Sequence, residues 1–426
     1  MAEKILFKDP PGQAPLIRVG ILRSPEVRIT LHGAFRLLIN RELPSIREAS
    51  PEAGSSESFS GSFHIKPSGN TIRLFKGEDL VSEGDASAQW RMEPLSPQSL
   101  FELQDVSIGI DFHWERKENQ LFSGCLSWLT DGDQIQVINE LPLEDYLVSV
   151  ISSEMNATAS EAFLKAHAII SRSWLLAQMQ SKGKKPAADP VQTDRGHEHI
   201  RWYDREDHLL FDVCADDHCQ RYQGIGRAST DAVRQAVEET AGLVLTHGNE
   251  ICDARYSKCC GGITEAFENV WEPRPHAYLQ SFFDHPDKPD TFEQLPRNED
   301  EASRWIMANH EAFCHTTDKH ILSQVLNDYD QETPDFYRWQ KRLGQDELQE
   351  LIHRKTGLDT GAIMALEPIE RGPSGRLIRL GIKGTRGYFI IGKELEIRKA
   401  FSPSHLYSAA FVSLPLGPSH ELGRAS

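Results

Sequence analysis

The sequence predicts an α+β chain, built from antiparallel β-rich units with one helical pair carrying the site. Three observations lead there. Short runs of alternating apolar and polar residues fill the N-terminal third. Residues 141–178 then carry two consecutive stretches of helical period. After residue 345, short helices are inserted between alternating strands.

Along the chain, residues 16–19 (LIRV) and 27–30 (VRIT) read as short strands around a Ser-Pro turn. Residues 41–65 turn polar, with Pro44, Pro51 and the run GSSESFSGS, and read as a loop or insertion. Strand signals resume at 71–75 and 106–114. Another pair is expected at 121–129 and 134–137, joined through Asp131-Gly132.

The next stretch, LPLEDYLVSVISSEMNATASEAFLKAHAIISRSWLLAQ, reads as two helices with a short break. In the first, Leu147, Val150, Ile151 and Glu154 fall at i, i+3, i+4 and i+7 of one stripe. A carboxylate on an apolar stripe faces the interior or a cleft, where burial disfavours its charged form. That is how a general acid is made near neutral pH. On the pattern alone a frayed surface terminus is the plainer account of such a residue, because helix ends carry acids often. The second helix has a T-x-x-E capping box in Thr158 and Glu161, with Ser160 as a second possible cap. Lys165, Ile169, Arg172 and Leu176 share a face, so two cations project beside apolar neighbours. Snorkelling at the surface is the plain account. An acid and two cations on adjoining helices would also suit a substrate rich in oxygens and carboxylates.

SKGKKPAADP breaks the pattern, and a histidine-rich segment follows. His197, His199, His208, Cys214, His218 and Cys219 lie within about two dozen residues. The string HLLFDVCADDHC offers His208-x5-Cys214-x4-Cys219, with His218 adjacent. Imidazole and thiolate are the ligands of tetrahedral zinc. A Cys214–Cys219 disulfide or two buried thiols fit the same spacing. Residues 229–241 read as a helix, since Val233, Ala236, Val237 and Thr240 share a face and Gly242 stands at its stop. Residues 243–246 and 251–256 flank His247-Gly248-Asn249-Glu250 as a hairpin whose second strand delivers SKCCGGITEA. Cys260 as a nucleophile lacks any neighbouring Cys-His protease signature.

Residues 285–345 look irregular. A short helix is expected at 346–353, then strands at 363–369, 376–382 and 387–391, with Gly372-Pro373-Ser374-Gly375 turning between the first two. A helix over 394–400 and a final strand near 410–412 complete the reading. The divisions expected are a β-rich 1–140 with an insertion near 41–100, a core at 141–284, an irregular 285–345 and an α+β part at 346–426.

Composition sets bounds. The 426 residues suffice for two or three structural units. A net charge of −17 argues against a nucleic-acid groove or an anionic-membrane stripe. No run approaches eighteen uninterrupted apolar residues, so no ordinary transmembrane segment is expected. The opening MAEKILFKDPPGQAPLIRVG lacks the apolar run of a secretory signal. Seven cysteines, five of them between Cys214 and Cys260, favour a metal or a local bridge over a disulfide framework.

The run LPLEDYLVSVISSEM followed by EAFLKAHAIISRSW resembles the core signature of the SpoIID/LytB family of peptidoglycan-remodelling proteins. The likeness continues through HCQRYQG, ASTDAVRQAVEETAGLVL and YSKCCGGITEAFENVWEPRPHAYLQS, and resumes in GPSGRLIRLGIKGTRGYFIIGKELEIRKAF. The resemblance implies a lytic transglycosylase that cleaves between N-acetylmuramic acid and N-acetylglucosamine in peptide-stripped strands, with Glu154 as general acid and base. It also admits a noncatalytic enhancer of a partner cell-wall amidase. Lys165, Arg172, Tyr222, Ser257, Gly261 and Gly262 become candidates for the substrate groove. Cys260 stands where family members usually carry the serine of a Ser-Gly-Gly-x-Thr loop, which departs from the pattern. Some clostridial members bind zinc through one histidine and two cysteines in this region, which implies zinc on His208, Cys214 and Cys219. The fourth ligand is left open among water, His218 and a thiol of Cys259-Cys260. An extracytoplasmic location is implied as well, against the missing signal.

Overall fold

The computed structural model describes residues 2–4, 15–40, 58–110, 115–181, 192–194, 196–203, 208–226, 230–285, 296, 298–326 and 336–415. In chain order the first strands are β1 (Ala2–Lys4), β2 (Leu16–Ser24), β3 (Val27–Asn40), β4 (Ser58–Ser68), β5 (Thr71–Lys76) and β6 (Asp79–Asp85). Next come β7 (Gln89–Pro94), β8 (Leu100–Ile108), β9 (Arg116–Phe122), β10 (Cys125–Asp131) and β11 (Gln134–Pro142). Helices α1 (Leu143–Glu154) and α2 (Glu161–Ser181) lead to β12 (Gln192–Asp194), β13 (Glu198–Arg201) and β14 (Val213–Cys214). After α3 (Asp231–Glu239) come β15 (Leu243–His247), β16 (Glu250–Ile251), α4 (Glu299–Met307) and α5 (Lys319–Val325). The chain closes with α6 (Gln345–Thr356), β17 (Ile363–Arg371), β18 (Leu377–Gly384), β19 (Gly387–Gly392) and α7 (Glu394–Ala400). Mixed, mainly antiparallel sheets with helices set among them make this an α+β fold.

Two compact units emerge. The first comprises residues 1–184, 207–254 and 319–332; the second comprises 185–206, 255–318 and 333–426.

The first unit is organised on an 11-stranded sheet in the order β14-β2-β11-β10-β7-β3-β4-β5-β6, with β8 pairing β3 and β9. Strand β11 lies inside the sheet between β2 and β10, and residues 135–141 are buried without alternation, as a strand covered on both faces requires. It runs straight into α1, whose Leu147, Val150 and Ile151 are fully buried, each contributing about 1.5–3 kcal/mol. A line of stacked rings ties the sheet to that helix. Phe101 lies 5.3 Å from Phe122, Phe122 lies 5.9 Å from Tyr222, and Tyr222 lies 5.3 Å from Tyr146 of α1. A small sheet β1-β15-β16 completes the unit.

The second unit holds a five-stranded sheet, β12-β13-β19-β18-β17, in which only β13 and β19 run parallel. Its core includes Leu377, Leu380, Ile382, Phe389, Ile391 and Ile397.

Several local expectations are corrected. The polar loop ends earlier than expected, because 58–68 is strand β4; residues 41–57 lie outside the described residues. The strand expected at 106–114 is shifted to Leu100–Ile108, and 111–114 is not described. The strand expected at 121–129 is cut in two at Gly124. Its φ of +84° turns the chain, and a Cβ there would sit 2.4 Å from the Glu140 carbonyl oxygen. Ser160, not Thr158, caps α2: its Oγ accepts the Phe163 N–H at 3.4 Å. The hairpin's second strand stops at Ile251. Residues 285–345 contain α4 and α5, the former capped by Asn298. Near 410–412 there is no strand. That segment reaches β18 through a Leu377 N–H bond to the Ala409 carbonyl rather than a ladder. Most of SKGKKPAADP lies outside the described residues.

Candidate active site

Glu154 is the last residue of α1, which ends where Met155 turns extended (φ −126°, ψ 166°). The apolar stripe beneath it is buried, and its own side chain keeps 15% exposure, enough to meet a ligand while losing most of its water. Oε1 accepts the backbone N–H of Arg221 at 3.0 Å. Oε2 lies 3.7 Å from Nε2 of His167, a buried residue of α2. The carboxylate is therefore held through one oxygen by a hydrogen bond, and its other oxygen faces the His167 ring. His167 was not singled out in the sequence. Its signal was there: Leu164, His167, Ser171 and Trp174 form one helical stripe facing inward.

The donor from Arg221 comes with a loop built around thiols and imidazoles. Strand β14 adds Val213–Cys214 in parallel to β2 at the sheet's edge. The ring of Phe211 occupies the space beside Gly20, where a Cβ would lie 2.5 Å from it. Cys219 N–H donates to the Asp216 carbonyl at 3.0 Å, and Tyr222 N–H to the Ala215 carbonyl at 2.9 Å. The Arg221 guanidinium grips Asp217 through Nε to Oδ1 at 3.0 Å and Nη2 to Oδ2 at 3.1 Å. Burial pushes the Asp217 carboxyl up from its ordinary range, opposed by that arginine.

Four potential ligands converge in this loop. The ligand atoms of His208, Cys214, His218 and Cys219 all lie within 4.8 Å of one another. His208 Nε2 is 3.3 Å from Cys219 Sγ. His218 Nδ1 is 3.5 Å from Cys219 Sγ and 3.9 Å from Cys214 Sγ. Tetrahedral zinc, with sulfur at about 2.3 Å and nitrogen at about 2.0–2.1 Å, sets neighbouring ligand atoms roughly 3.5–3.8 Å apart. The donor set fits that ion in chemistry and in spacing. Hydrogen bonding from Cys219, helped by His208 and His218, outweighs burial and holds the Cys214 thiol down at about 2. Among the described residues, which include all seven cysteines, no disulfide forms. His197 and His199 belong to the second unit, where His199 Nε2 pairs with Glu396 at 3.0 Å.

The remaining candidates divide. Arg172 is withdrawn from any substrate: it is fully buried, bidentate to Glu144 at 2.6 Å and 3.1 Å, with Nη1 donating to the Leu243 carbonyl at 3.1 Å. Tyr222 is also interior, its hydroxyl donating to Asn139 Oδ1 at 2.5 Å. Both are corrections with one cause, since the helix face and the loop that carry them pack inward. Lys165 keeps 30% exposure and is paired with Glu161 and Glu239. Ser257, Gly261 and Gly262 belong to the second unit. Ser257 is exposed, whereas Gly262 is buried with φ +96°, and a Cβ there would lie 2.9 Å from the Trp305 ring. Packing inside the second unit, rather than close approach of a sugar, accounts for that glycine.

Comparison with known proteins gives two family matches. Residues 131–247 match the family model described as Stage II sporulation protein, SpoIID. Residues 265–423, whose sequence was likened above to the same family, match instead a Domain of unknown function (DUF8618). Stage II sporulation protein D of Bacillus subtilis is 27% identical over 138 residues, covering 32% of this chain and 37% of the relative. An uncharacterized protein of Brachyspira hyodysenteriae is 26% identical over 174 residues, covering 40% of this chain and 38% of the relative. The chain thus spans under two fifths of the length of these curated relatives. Glu154, His167 and the four-ligand loop all fall inside the first match, so the part of this chain that carries them, residues 131–247, is similar to the SpoIID family.

Proposed function

We propose that this protein is a peptidoglycan lytic transglycosylase acting on peptide-stripped glycan strands, with Glu154 as its general acid and base. The similarity of residues 131–247 to the SpoIID family supports a cell-wall-related role. The observation that carries the reading further is the placement of Glu154: a largely buried carboxylate at a helix end, held by a backbone N–H and faced by His167.

Because Oε1 is engaged by Arg221, proton transfer falls to Oε2, on the His167 side. The Glu154 carboxyl gives its proton to the glycosidic oxygen between N-acetylmuramic acid and N-acetylglucosamine as the C1–O bond breaks. The carboxylate left behind then takes the proton of the muramoyl O6 hydroxyl as O6 bonds to C1. A 1,6-anhydro ring closes, Glu154 is protonated again and no water is consumed. One acid that changes state twice suffices, unlike the paired carboxylates of hydrolytic glycosidases.

Zinc on His208, Cys214 and Cys219, with His218 completing the set, would supply a structural cross-link rather than a nucleophile. Arg221 follows Cys219 by two residues, so the loop's position sets the N–H that orients Glu154. No helix among the described residues is long and apolar enough to cross a membrane. An extracytoplasmic site of action follows from the substrate proposed.

The test is incubation with purified glycan strands, with and without stem peptides, followed by mass analysis of the ends. Anhydromuramoyl ends on the stripped strands are expected. Strands that are bound but uncut would replace this reading with the rival one, a noncatalytic stimulator of a cell-wall amidase.

A further inference from the structure

The second unit contains a thiol cluster that the reaction does not use. Sγ of Cys260 and Sγ of Cys314 lie 3.5 Å apart although the residues are separated by 54 positions. One carboxylate oxygen of Asp284 joins them, and the three ligand atoms lie within 4.8 Å of one another. The Cys259 thiol lies beside them and donates to the Cys314 backbone carbonyl at 3.9 Å. From these contacts we infer that Cys260, Cys314 and Asp284 form a three-ligand structural site for a thiophilic divalent cation, zinc foremost, with the fourth position left to water. The inference is independent of the transglycosylase reading and of the cluster in the first unit.

Three features support a built site. The backbone around it is tied together: Cys314 N–H donates to Asp284 Oδ2 at 3.0 Å, Phe313 N–H to the Asp284 carbonyl at 2.8 Å, and Asp284 N–H to the Gly262 carbonyl at 2.9 Å. The loop bearing Cys260 is pinned by two guanidinium groups. Arg376 donates to the Cys260 carbonyl at 2.8 Å, and Arg338 to the Gly261 carbonyl at 3.1 Å. Those cations offset the surplus negative charge that thiolates and a carboxylate leave around a divalent ion. Third, the segments joined here have little regular structure of their own, only a single 3-10 turn at Phe267–Asn269 and α4 among the described residues from 255 to 314. Closing so long a loop is where a metal clip stabilises most. Sulfur at 3.5 Å from sulfur is the spacing of two thiolates on one zinc and well beyond a disulfide bond.

The test is metal analysis of the full-length protein purified under reducing conditions, beside two double variants, Cys214→Ser/Cys219→Ser and Cys260→Ser/Cys314→Ser. With both clusters loaded, the parent carries about two zinc ions per chain and each variant about one. The Cys214→Ser/Cys219→Ser protein isolates the second site: one retained zinc, replaceable by cobalt with thiolate-to-metal absorption, supports the inference. Absence of metal from that folded variant overturns it. So does peptide mapping of native protein that finds Cys260 and Cys314 disulfide-bonded. Asp284→Asn, which keeps every thiol, is expected to lose the retained ion to a chelator at least 10-fold more readily. Unchanged chelator resistance would strike Asp284 from the ligand set and overturn the site as stated.

Discussion

Replacing Arg172 with Leu separates a structural arginine from a substrate-binding one. The guanidinium joins α1 to α2 through Glu144, and reaches β15 through the Leu243 carbonyl. Glu144 is drawn in further by the Gly242 N–H at 3.4 Å. Leucine fills part of the volume but leaves the carboxylate without its cation. Breaking a buried pair from one side costs about 3–5 kcal/mol. Glu144 keeps 23% exposure, so water recovers some of its solvation and the cost falls to roughly 2–4 kcal/mol. In a unit of this size that lowers the melting temperature by roughly 5–15 °C. Calorimetry of the variant measures it, and glycan turnover per folded molecule in the cold should be unchanged. The double variant Glu144→Leu/Arg172→Leu should regain part of the loss, because no orphaned charge remains. A single variant that melts within about 2 °C of the parent yet has lost turnover would refute the structural assignment.

Other outcomes follow from the same geometry. Tyr222→Phe removes the hydroxyl on Asn139 and should cost about 1–2 kcal/mol of stability without altering turnover; a selective loss of turnover would return Tyr222 to the substrate site. His167→Gln should lower kcat about 10-fold or more while glycan affinity holds, since His167 faces Glu154 rather than solvent. Equal losses in kcat and affinity would show a general distortion instead. In metal-free protein Cys214 has a depressed folded-state pKa, so its contribution to stability is full above the ordinary thiol range near 9.0. That contribution is lost progressively as pH falls towards about 2. Ultraviolet absorbance should therefore report a thiolate at about pH 5 that Cys214→Ser abolishes; no such signal at that pH would contradict the hydrogen-bonded arrangement.

Much of this was legible where local signals act alone. The helix Glu394–Ala400 and the turn at Gly372–Gly375 carry their own punctuation, as does the stripe that buries Leu147, Val150 and Ile151 beneath Glu154. Periodicity does not say which of two faces packs. Lys165 and Arg172 share a face by spacing, yet one is at the surface and the other is fully buried against Glu144. A histidine on an inward stripe was passed over for the same reason, since a partner on another helix is invisible in sequence. Gly124 splits a strand through a close approach to Glu140, a contact made only in the sheet. Cys314 stands alone in the sequence and meets Cys260, 54 positions away, only once the chain between them is folded. The His208–Cys219 ligands, by contrast, lie within one loop, and their spacing could be read directly.

The central claim is that Glu154 moves the proton that cleaves and then closes the sugar. Glu154→Gln retains an acceptor for the Arg221 N–H and nearly the same volume but cannot shuttle a proton. Incubated with peptide-stripped glycan strands at matched folded concentration, it should yield no anhydromuramoyl ends where the parent yields them, while melting within about 2 °C of the parent. Anhydromuramoyl ends formed by the variant at the parent's rate would contradict the account.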